Sequence, residues 1–261
     1  MAHWIRVQHQ GRERFGLLDG ERVRFTTGSP FGEHAPSGES ARLSETKVLT
    51  PVTPSKMVAL WNNFRALAEK LGNAIPPEPL YFLKANNSFL AHEETIRMPA
   101  SYAGKVIYEG ELGVVIGKRC AAVSEADAPK HILGYTCIND VTAFDVFNKD
   151  PSFPQWVRAK SFDTYGPFGP CIATGLDWSS LRIRTVLNGA ERQNYPASDM
   201  ILPPSRIVSL ISREMTLLPG DVIACGTSVG VGSMKPGSIV EVSIEGIGVL
   251  KNTVAEAPAP A

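Results

Sequence analysis

Residues 106–117 read VIYEGELGVVIG, an apolar run that carries two carboxylates, Glu109 and Glu111. Its Val, Ile and Leu content predicts a β-strand. Because side chains two residues apart in a strand share one face, the two carboxylates should lie close together. Buried carboxylates repel each other and lose hydration unless a cation balances them, so the stretch indicates a metal site. An edge strand with both Glu side chains in water is the alternative.

A second apolar run, residues 132–139, leads directly to another carboxylate, Asp140. If this run is a strand beside the first, its end presents an oxygen to the same cation, so we predict Asp140 as the third ligand. Mg²⁺ takes such oxygen ligands, and Mn²⁺ and Ca²⁺ accept the same kind of donor. The alternative for Asp140 is an ordinary N-cap of a helix that begins near Val141.

The composition is that of a globular protein with a large core, since 43% of the 261 residues are hydrophobic and 20% are charged. Lys and Arg together number 26, as do Asp and Glu, so no net charge draws the chain to nucleic acid or to an anionic membrane. No apolar run approaches the roughly 20 residues of a membrane span, and the N-terminus lacks a signal-peptide core, which predicts a cytoplasmic location. The four Cys residues form no C-x-x-C pair, so neither a zinc site nor a disulfide is expected.

We predict a mainly β fold with some α structure (α+β), in three parts. Residues 1–50 carry short strand patterns and an Asp-Gly hairpin turn, and form a small N-terminal β domain. Within it, the Gly-, Ser- and Pro-rich segment 28–39 predicts a surface loop. Residues 51–254 form the main domain, and the Ala- and Pro-rich residues 255–261 form a disordered tail.

Residues 62–72 predict a short helix that ends at Gly72, and the Pro-rich residues 74–79 after it must be irregular. Such a segment beside a site is typical of a lid. Farther along, Lys160 precedes a Gly- and Pro-rich turn and is a candidate to orient an anionic substrate, although most lysines lie on the surface. Thr227 lies in a Gly-rich loop whose backbone amides can approach an anion closely.

Eight motifs occur in one order and cover the chain from about Lys56 to Val254. They are YEGELGVVIG (108–117), GYT (134–136), NDVT (139–142), AKSFDT (159–164), SDMI (198–201), LPGDVI (218–223), GT (226–227) and EGIG (245–248). With these motifs the chain resembles the fumarylacetoacetate hydrolase family. The resemblance implies a mixed β-sandwich roll of the C-terminal type of that family, a homodimer as the usual assembly, and an enzyme that acts on a small 2-oxo or 1,3-diketo acid.

The resemblance also implies roles for single residues. Mg²⁺ or Mn²⁺ would be held by Glu109, Glu111 and Asp140, while Lys160 and Thr227 would surround the bound acid. An acid that chelates the metal through its carboxylate and keto oxygens has its enolate stabilised, and the positive potential of Lys160 adds to this effect. Enolisation, decarboxylation and C–C hydrolysis all pass through that enolate charge.

Two departures from the family pattern bear on the reaction. Many members carry Asn-Tyr-x-x-His-x-x-Glu in the lid, where the His–Glu pair activates water, but here Leu67 occupies the His position and Lys70 the Glu position. Members also often have Arg and Gln where this chain has Phe144 and Phe147, which indicates a more apolar substrate pocket. Arg65, in the lid segment, is a further candidate to bind substrate.

We therefore expect an isomerase or tautomerase of the 2-hydroxyhepta-2,4-diene-1,7-dioate isomerase kind, as in aromatic-compound catabolism, because moving a proton along an enolate needs no activated water. A C–C hydrolase of the fumarylacetoacetate or fumarylpyruvate type, or a 2-oxo acid decarboxylase, is the alternative, with Glu69 or His92 as its base. Both residues have plainer interpretations, as an exposed helix residue and as a loop residue. A catalytically silent binding protein that retains the metal site is a third hypothesis.

Overall fold

The computed structural model describes residues 1–257, and sheet dominates this part of the chain. Its strands are β1 (Ala2–His9), β2 (Arg12–Asp19), β3 (Arg22–Gly28), β4 (His34–Arg42), β5 (Lys47–Val48), β6 (Met57–Trp61), β7 (Leu80–Lys84), β8 (Phe89–Leu90), β9 (Thr95–Met98), β10 (Val106–Tyr108), β11 (Gly110–Ile116), β12 (Ile132–Asn139), β13 (Thr142–Ala143), β14 (Gly166–Thr174), β15 (Arg182–Leu187), β16 (Ala190–Pro196), β17 (Val222–Ala224), β18 (Gly232–Met234), β19 (Ile239–Ile244) and β20 (Gly248–Glu256). Buried and exposed side chains alternate along β15 and β19, as in a sheet with one face in the core.

Four α-helices and five 3₁₀ helices connect the strands within residues 1–257. The α-helices are α1 (Arg65–Leu71), α2 (Phe144–Phe147), α3 (Trp156–Lys160) and α4 (Pro204–Glu214), and the 3₁₀ helices are Leu43–Glu45, Asn86–Ser88, Ala128–His131, Trp178–Ser180 and Ala197–Asp199. Helix α1 ends at Gly72, whose left-handed backbone (φ 68°) lets its N–H donate to the carbonyls of Ala68 and Glu69, as the sequence predicts. None of the helices in the described chain has the length and apolar character needed to cross a bilayer.

The largest sheet has twelve strands, ten of which follow the order β4-β3-β2-β1-β14-β12-β11-β17-β6-β7. Strand β1 pairs antiparallel with β14, so the N-terminal strands extend the main sheet. Strand β17 pairs in parallel with β6, which in turn pairs with β7. The prediction of a mainly β fold with some helix is confirmed.

A second sheet, in the order β16-β15-β19-β20-β9, packs on the first. Leu112 and Val114 of β11 share one core with Ile183 of β15 and Val242 of β19. Burial of these apolar side chains between the two sheets removes them from water, which is the main stabilising contribution in such a sandwich.

The predicted strand over 106–117 is interrupted at Glu109. Strand β10 belongs to a separate three-stranded sheet, β13-β10-β18, whereas β11 belongs to the main sheet. At the break the side chain of Asn139 replaces the ladder partner, because its Oδ1 accepts the Glu109 amide at 3.1 Å. The chain therefore changes from one sheet to another at Glu109, and the candidate site lies at this change.

Two stretches differ from their sequence interpretation. Part of the predicted loop 28–39 forms β4, which begins at His34 and pairs with β3, because an exposed polar edge strand lacks the apolar alternation that reveals a strand. Strand β20 continues two residues beyond the boundary predicted at Val254, and its Glu256 pairs with Met98. The last part of the predicted tail, 258–261, lies outside the described residues.

Candidate active site

Three carboxylates meet where β10 gives way to β11. Glu109, Glu111 and Asp140 each offer one oxygen atom, and these three atoms lie within 4.8 Å of one another. All three side chains are buried, and the most accessible of them, Glu109, is 9% exposed. We call these three residues the carboxylate cluster. The structure thus brings together the three residues that the sequence predicts as metal ligands.

The glycine between the two glutamates explains why both can point to one side. Gly110 faces the second sheet, where an added Cβ would lie 2.1 Å from Thr185 Oγ1. Any side chain at this position would therefore separate β11 from β15. The Asp140 amide donates to the Glu109 carbonyl at 2.8 Å, which sets Asp140 beside Glu109.

Lys160 is one of two lysines whose ammonium groups bind the carboxylate cluster. It is the last residue of α3, is 3% exposed, and its Nζ donates to Glu109 Oε2 at 2.9 Å and to Asp140 Oδ2 at 2.6 Å. The Thr142 hydroxyl donates to the second oxygen of Glu109, Oε1, at 2.7 Å. Glu109 therefore has both carboxylate oxygens hydrogen-bonded.

Glu111 is held by the Gly-rich loop that follows β17. The Gly226 amide donates to Glu111 Oε2 at 2.8 Å, and the φ of 89° at Gly226 favours glycine in this conformation. The other oxygen, Glu111 Oε1, is buried and has no hydrogen-bond partner among residues 1–257. An unpaired buried carboxylate oxygen is costly, so this atom needs a cation or a ligand to complete its surroundings.

A second lysine, Lys84, supports the cluster from β7, and sequence reasoning missed it. Its side chain is 1% exposed, and its Nζ donates to Asp140 Oδ1 and to the Lys160 carbonyl, both at 2.6 Å, and to the Val141 carbonyl at 3.4 Å. Burial lowers the pKa of Lys84 against the opposing effect of Asp140. Three acceptors around one nitrogen are nevertheless what an ammonium group with three hydrogens requires.

Burial and neighbouring charges set the ionisation of the site. Burial raises the pKa of Glu109 against the opposing effect of Lys160, and it raises the pKa of Glu111 well above the usual range with help from Asp140 and Glu109. Burial also acts to raise the pKa of Asp140, but Lys160 and Lys84 outweigh it and the net direction is down. For Lys160 burial acts downward, whereas Asp140 and Glu109 raise its pKa above the ordinary value.

These residues fit a divalent cation. The donors are three carboxylates, the hard oxygen ligands that Mg²⁺ and Mn²⁺ prefer. One of their oxygens, Glu111 Oε1, lacks any partner in the described chain, and the raised pKa values of Glu109 and Glu111 reflect negative charge that burial leaves poorly compensated. A cation among the three oxygens would relieve both conditions.

Thr227 belongs to a hydrogen-bonded frame behind the cluster. Its hydroxyl donates to the Gly110 carbonyl at 3.0 Å and accepts from Gln193 Nε2 at 2.9 Å. Gln193, on β16, accepts from the Gly110 amide at 3.0 Å and from the Thr185 hydroxyl at 2.9 Å. The sequence gives no signal for Gln193, because it lies in the polar run ERQNYP that is typical of an exposed strand.

Helix α1 turns its predicted functional positions in two directions. Leu67 is buried, whereas Arg65, Glu69 and Lys70 are exposed. The start of the helix is fixed by Asn63, which is itself buried. A side chain at position 67 therefore points into the protein, and the one at position 70 points into water.

The side chains of two residues, Asn63 and Asp199, anchor this helix start to the rest of the chain. Asn63 Nδ2 donates to the Cys225 carbonyl at 2.8 Å, and its Oδ1 accepts the Leu202 amide at 2.9 Å. The Asp199 carboxylate accepts the Ala66 amide at 3.0 Å. Asp199 thus takes the role of an N-cap for α1 from a distant part of the chain.

The remaining predicted site residues are spread over different surroundings. Phe144 is 52% exposed, while Phe147 is half-buried with its ring centroid 3.9 Å from that of Trp156. His92 lies by the second sheet, where its Nδ1 accepts the Lys251 amide at 3.1 Å, and burial lowers its pKa. The contacts of His92 in the described chain do not include the carboxylate cluster.

Comparison with known proteins gives the family. Residues 56–255 match the family described as "Fumarylacetoacetate (FAA) hydrolase C-terminal", and residues 2–51 match the one described as "Rv2993c-like, N-terminal". The first match covers more than half of the chain, so this chain belongs to the fumarylacetoacetate hydrolase family. The resemblance inferred from the motifs is confirmed.

Three similar proteins show the range of the relatives. An uncharacterized protein of Archaeoglobus fulgidus is 46% identical over 236 residues, which are 90% of this chain and 88% of that protein. "Oxaloacetate tautomerase YisK" of Bacillus subtilis is 34% identical over 226 residues, which are 81% of this chain and 74% of that protein. The crystal structure of 2-hydroxyhepta-2,4-diene-1,7-dioate isomerase from Mycobacterium marinum is 38% identical, has a TM-score of 0.90, and covers 98% of this chain and 99% of its own.

Proposed function

We propose that this chain is a divalent-metal-dependent tautomerase or isomerase that acts on a 2-oxo acid through its enolate. The observation that carries the proposal is a contrast between two parts of the site. The carboxylate cluster and Lys160 form a buried charged centre that fits a divalent cation, whereas α1 offers Leu67 and Lys70 at the positions where many family members carry a water-activating His–Glu pair. The tautomerase and the isomerase among the similar proteins support this reaction type.

The charges of the site favour an anionic substrate once a divalent cation is present. With every group ionised, three carboxylates stand against the two ammonium groups of Lys84 and Lys160, which leaves one negative charge. A divalent cation changes this balance to one positive charge, which the carboxylate of a 2-oxo acid neutralises. When bound, the cation supplies Lewis-acid stabilisation of negative charge on the substrate oxygens.

Lys160 would act as a fixed positive charge and not as a base. Its two carboxylate partners, Glu109 and Asp140, stabilise the ammonium form and hold it in place. A preorganised charge in a buried site stabilises an enolate more effectively than a mobile surface charge does. The buried Leu67 has no group that accepts a proton from water, so this chain lacks the feature that favours hydrolysis at that position.

The proposal is tested with protein stripped of metal by a chelator. Adding Mg²⁺ or Mn²⁺ should restore rapid interconversion of enol and keto forms for at least one member of a panel of 2-oxo and diketo acids, followed by ultraviolet absorbance. Glu111→Ala, treated in the same way, is the matched control and should stay inactive because it lacks one anionic ligand. Failure of every acid to respond to either metal would contradict the proposal.

We further infer a homodimer in the cytoplasm, with the small acid as the partner of the site. The family resemblance supports this assembly, and the balanced charge of the chain gives no reason to expect nucleic acid or membrane as a partner. Sedimentation velocity at micromolar concentration tests the assembly, and a monomer there would contradict it.

A further inference from the structure

Four aromatic side chains form a cluster beside Lys160. Trp156 lies in its middle, with its ring centroid 3.9 Å from that of Phe147, 5.2 Å from that of Trp61 and 5.3 Å from that of Phe82. We call these four residues the aromatic cluster. Lys160 Nζ lies 5.3 Å from the centroid of the Phe82 ring, so the aromatic cluster adjoins the charged centre directly.

The pairing of β6 with β7 explains this neighbourhood. Lys84 and Phe82 are two residues apart on β7 and share a face. On that face Trp61 of β6 is paired with Leu80, one step farther out. Exposure rises along the same path, from 1% at Lys84 through 8% at Phe82 to 46% at Leu80. One face of the strand pair therefore leads from the charged centre, past aromatic rings, to solvent.

Helix α3 also carries an aromatic residue and a lysine on one face. Trp156 and Lys160 are four residues apart and lie on one face of the helix, so Trp156 stacks on Phe82 while Lys160 reaches the carboxylates. Arg158 is two residues from Trp156 and points elsewhere, into a hollow that it lines with Tyr102 and Phe162. Apart from Lys160, whose ammonium group is held by Glu109 and Asp140, α3 thus brings no cation to the rings.

The aromatic cluster is not closed off like a core. Trp61, Phe147 and Trp156 are only half-buried, although large aromatic side chains gain most when fully covered. Aromatic surface left partly open beside a buried charged site is typical of a ligand pocket, where apolar walls hold one end of a small molecule and a few polar groups fix the other.

We propose that the aromatic cluster binds an apolar, planar substituent of the substrate, an aryl or conjugated chain, while the 2-oxo carboxylate end lies at the carboxylate cluster and Lys160. This inference rests on the proposed function and specifies its substrate class as 2-oxo acids with a single carboxylate. A second carboxylate at the far end would lose hydration against the rings without a paired cation. Trp61 and Trp156 are then specificity-determining residues.

Calorimetry of the Mg²⁺-loaded protein with three acids tests the inference without relying on turnover. Pyruvate carries only the 2-oxo acid end, oxaloacetate adds a carboxylate, and phenylpyruvate adds an aryl ring. Phenylpyruvate should bind about 10- to 100-fold more tightly than pyruvate, as expected for burial of one aromatic ring. Oxaloacetate should bind no more tightly than pyruvate.

Variants locate the effect. Trp61→Ala and, separately, Phe147→Gln should remove most of the advantage of phenylpyruvate while changing the affinity for pyruvate much less, because pyruvate is too short to reach the rings. Trp178→Ala, which removes a half-buried tryptophan from a 3₁₀ helix, is the matched control and should retain the advantage. Phe147→Gln keeps the test decisive if Trp61→Ala does not fold.

The outcomes separate this inference from the proposed function. Binding of pyruvate with no advantage for phenylpyruvate, tighter binding of oxaloacetate, or an advantage that survives in both Trp61→Ala and Phe147→Gln would overturn the role of the aromatic cluster alone. Absence of Mg²⁺-dependent binding for all three acids would overturn the proposed function and this inference together.

Discussion

The carboxylate cluster and helix α1 hold their charged side chains in opposite ways. In the cluster, every carboxylate is buried, and Lys84 and Lys160 are both paired with Asp140 at hydrogen-bond distance. On α1, Arg65 and Glu69 are exposed, and neither forms an ion pair within residues 1–257. Charge that stabilises an enolate must be preorganised, whereas a base for water attack must be delivered to the same place. Under the proposed function, the fixed charge of the carboxylate cluster and its lysines serves the first of these two tasks.

The largest effect on activity is expected at Glu111, and the same Glu-to-Gln change on α1 provides the control. Glu111→Gln should lower activity by more than about a hundredfold, because Lewis-acid stabilisation is worth several kcal/mol and each factor of ten corresponds to about 1.4 kcal/mol. Mn²⁺ affinity, measured by calorimetry, should fall with it. Glu69→Gln on α1 is the matched control and should change neither quantity. Equal losses of activity and Mn²⁺ affinity in both variants would contradict the different roles assigned to the carboxylate cluster and to α1.

Lys84→Met tests whether the charged centre depends on its second lysine. The change leaves Asp140 Oδ1 buried without its ammonium partner, and breaking a buried pair in this way typically costs about 3–5 kcal/mol of stability. Urea unfolding measures the loss. Adding Asp140→Asn should restore part of the stability, because Lys160 then faces two buried carboxylates of the cluster in place of three. A Lys84→Met protein as stable as the wild type would show that the pair is not needed.

Gln193→Ala tests the frame behind the cluster. The change removes the acceptor of the Gly110 amide and of the Thr185 hydroxyl, and unsatisfied buried groups cost about 1–3 kcal/mol. We expect a stability loss in that range by urea unfolding, with weaker Mn²⁺ binding because β11 carries Glu111. Asn194→Ala, at the exposed neighbouring position, is the matched control. Loss of stability without any change in Mn²⁺ affinity would limit Gln193 to a structural role.

Leu67→His combined with Lys70→Glu moves α1 toward the other task. We expect C–C cleavage or decarboxylation to rise at least about tenfold, a fraction of the 10²–10⁴-fold that a well-positioned general base contributes. Tautomerisation should change little, since the carboxylate cluster is untouched. Product analysis by NMR measures both rates. The contrary outcome has three parts: cleavage by the wild type is already fast, it is lost in Glu69→Gln or His92→Asn, and the double change does not alter it. The base would then come from elsewhere, and the hydrolase alternative would be correct.

The sequence predicts the cluster well because its signals are local. Two glutamates around Gly110 must share a face in any strand, and an apolar run that leads into Asp140 ends where a neighbouring strand presents its own carboxylate. The main error is the uninterrupted strand. Asn139 takes over a backbone hydrogen bond at Glu109, and no periodic pattern records such a side-chain contact.

What the sequence does not reveal depends on long-range pairing. Lys84 reaches Asp140 only because β7 pairs with β6 in a register that sets Met57 opposite Lys84. The aromatic cluster likewise joins β6, β7, α2 and α3, which are separated by up to about a hundred positions in the sequence. Strand register over such distances is specified by the whole core, not by the composition of one segment.

The ratio of tautomerisation to bond cleavage in the unmodified protein is the decisive test of the proposed reaction. Both rates come from one NMR time course of the Mg²⁺-loaded enzyme with an enolised 2-oxo acid, in which keto, enol and cleavage products are resolved. We predict that tautomerisation is faster by about 10²-fold or more, the contribution of a His–Glu pair that α1 does not carry at positions 67 and 70. Cleavage at a rate comparable to tautomerisation would contradict the proposal that this site stabilises an enolate without activating water.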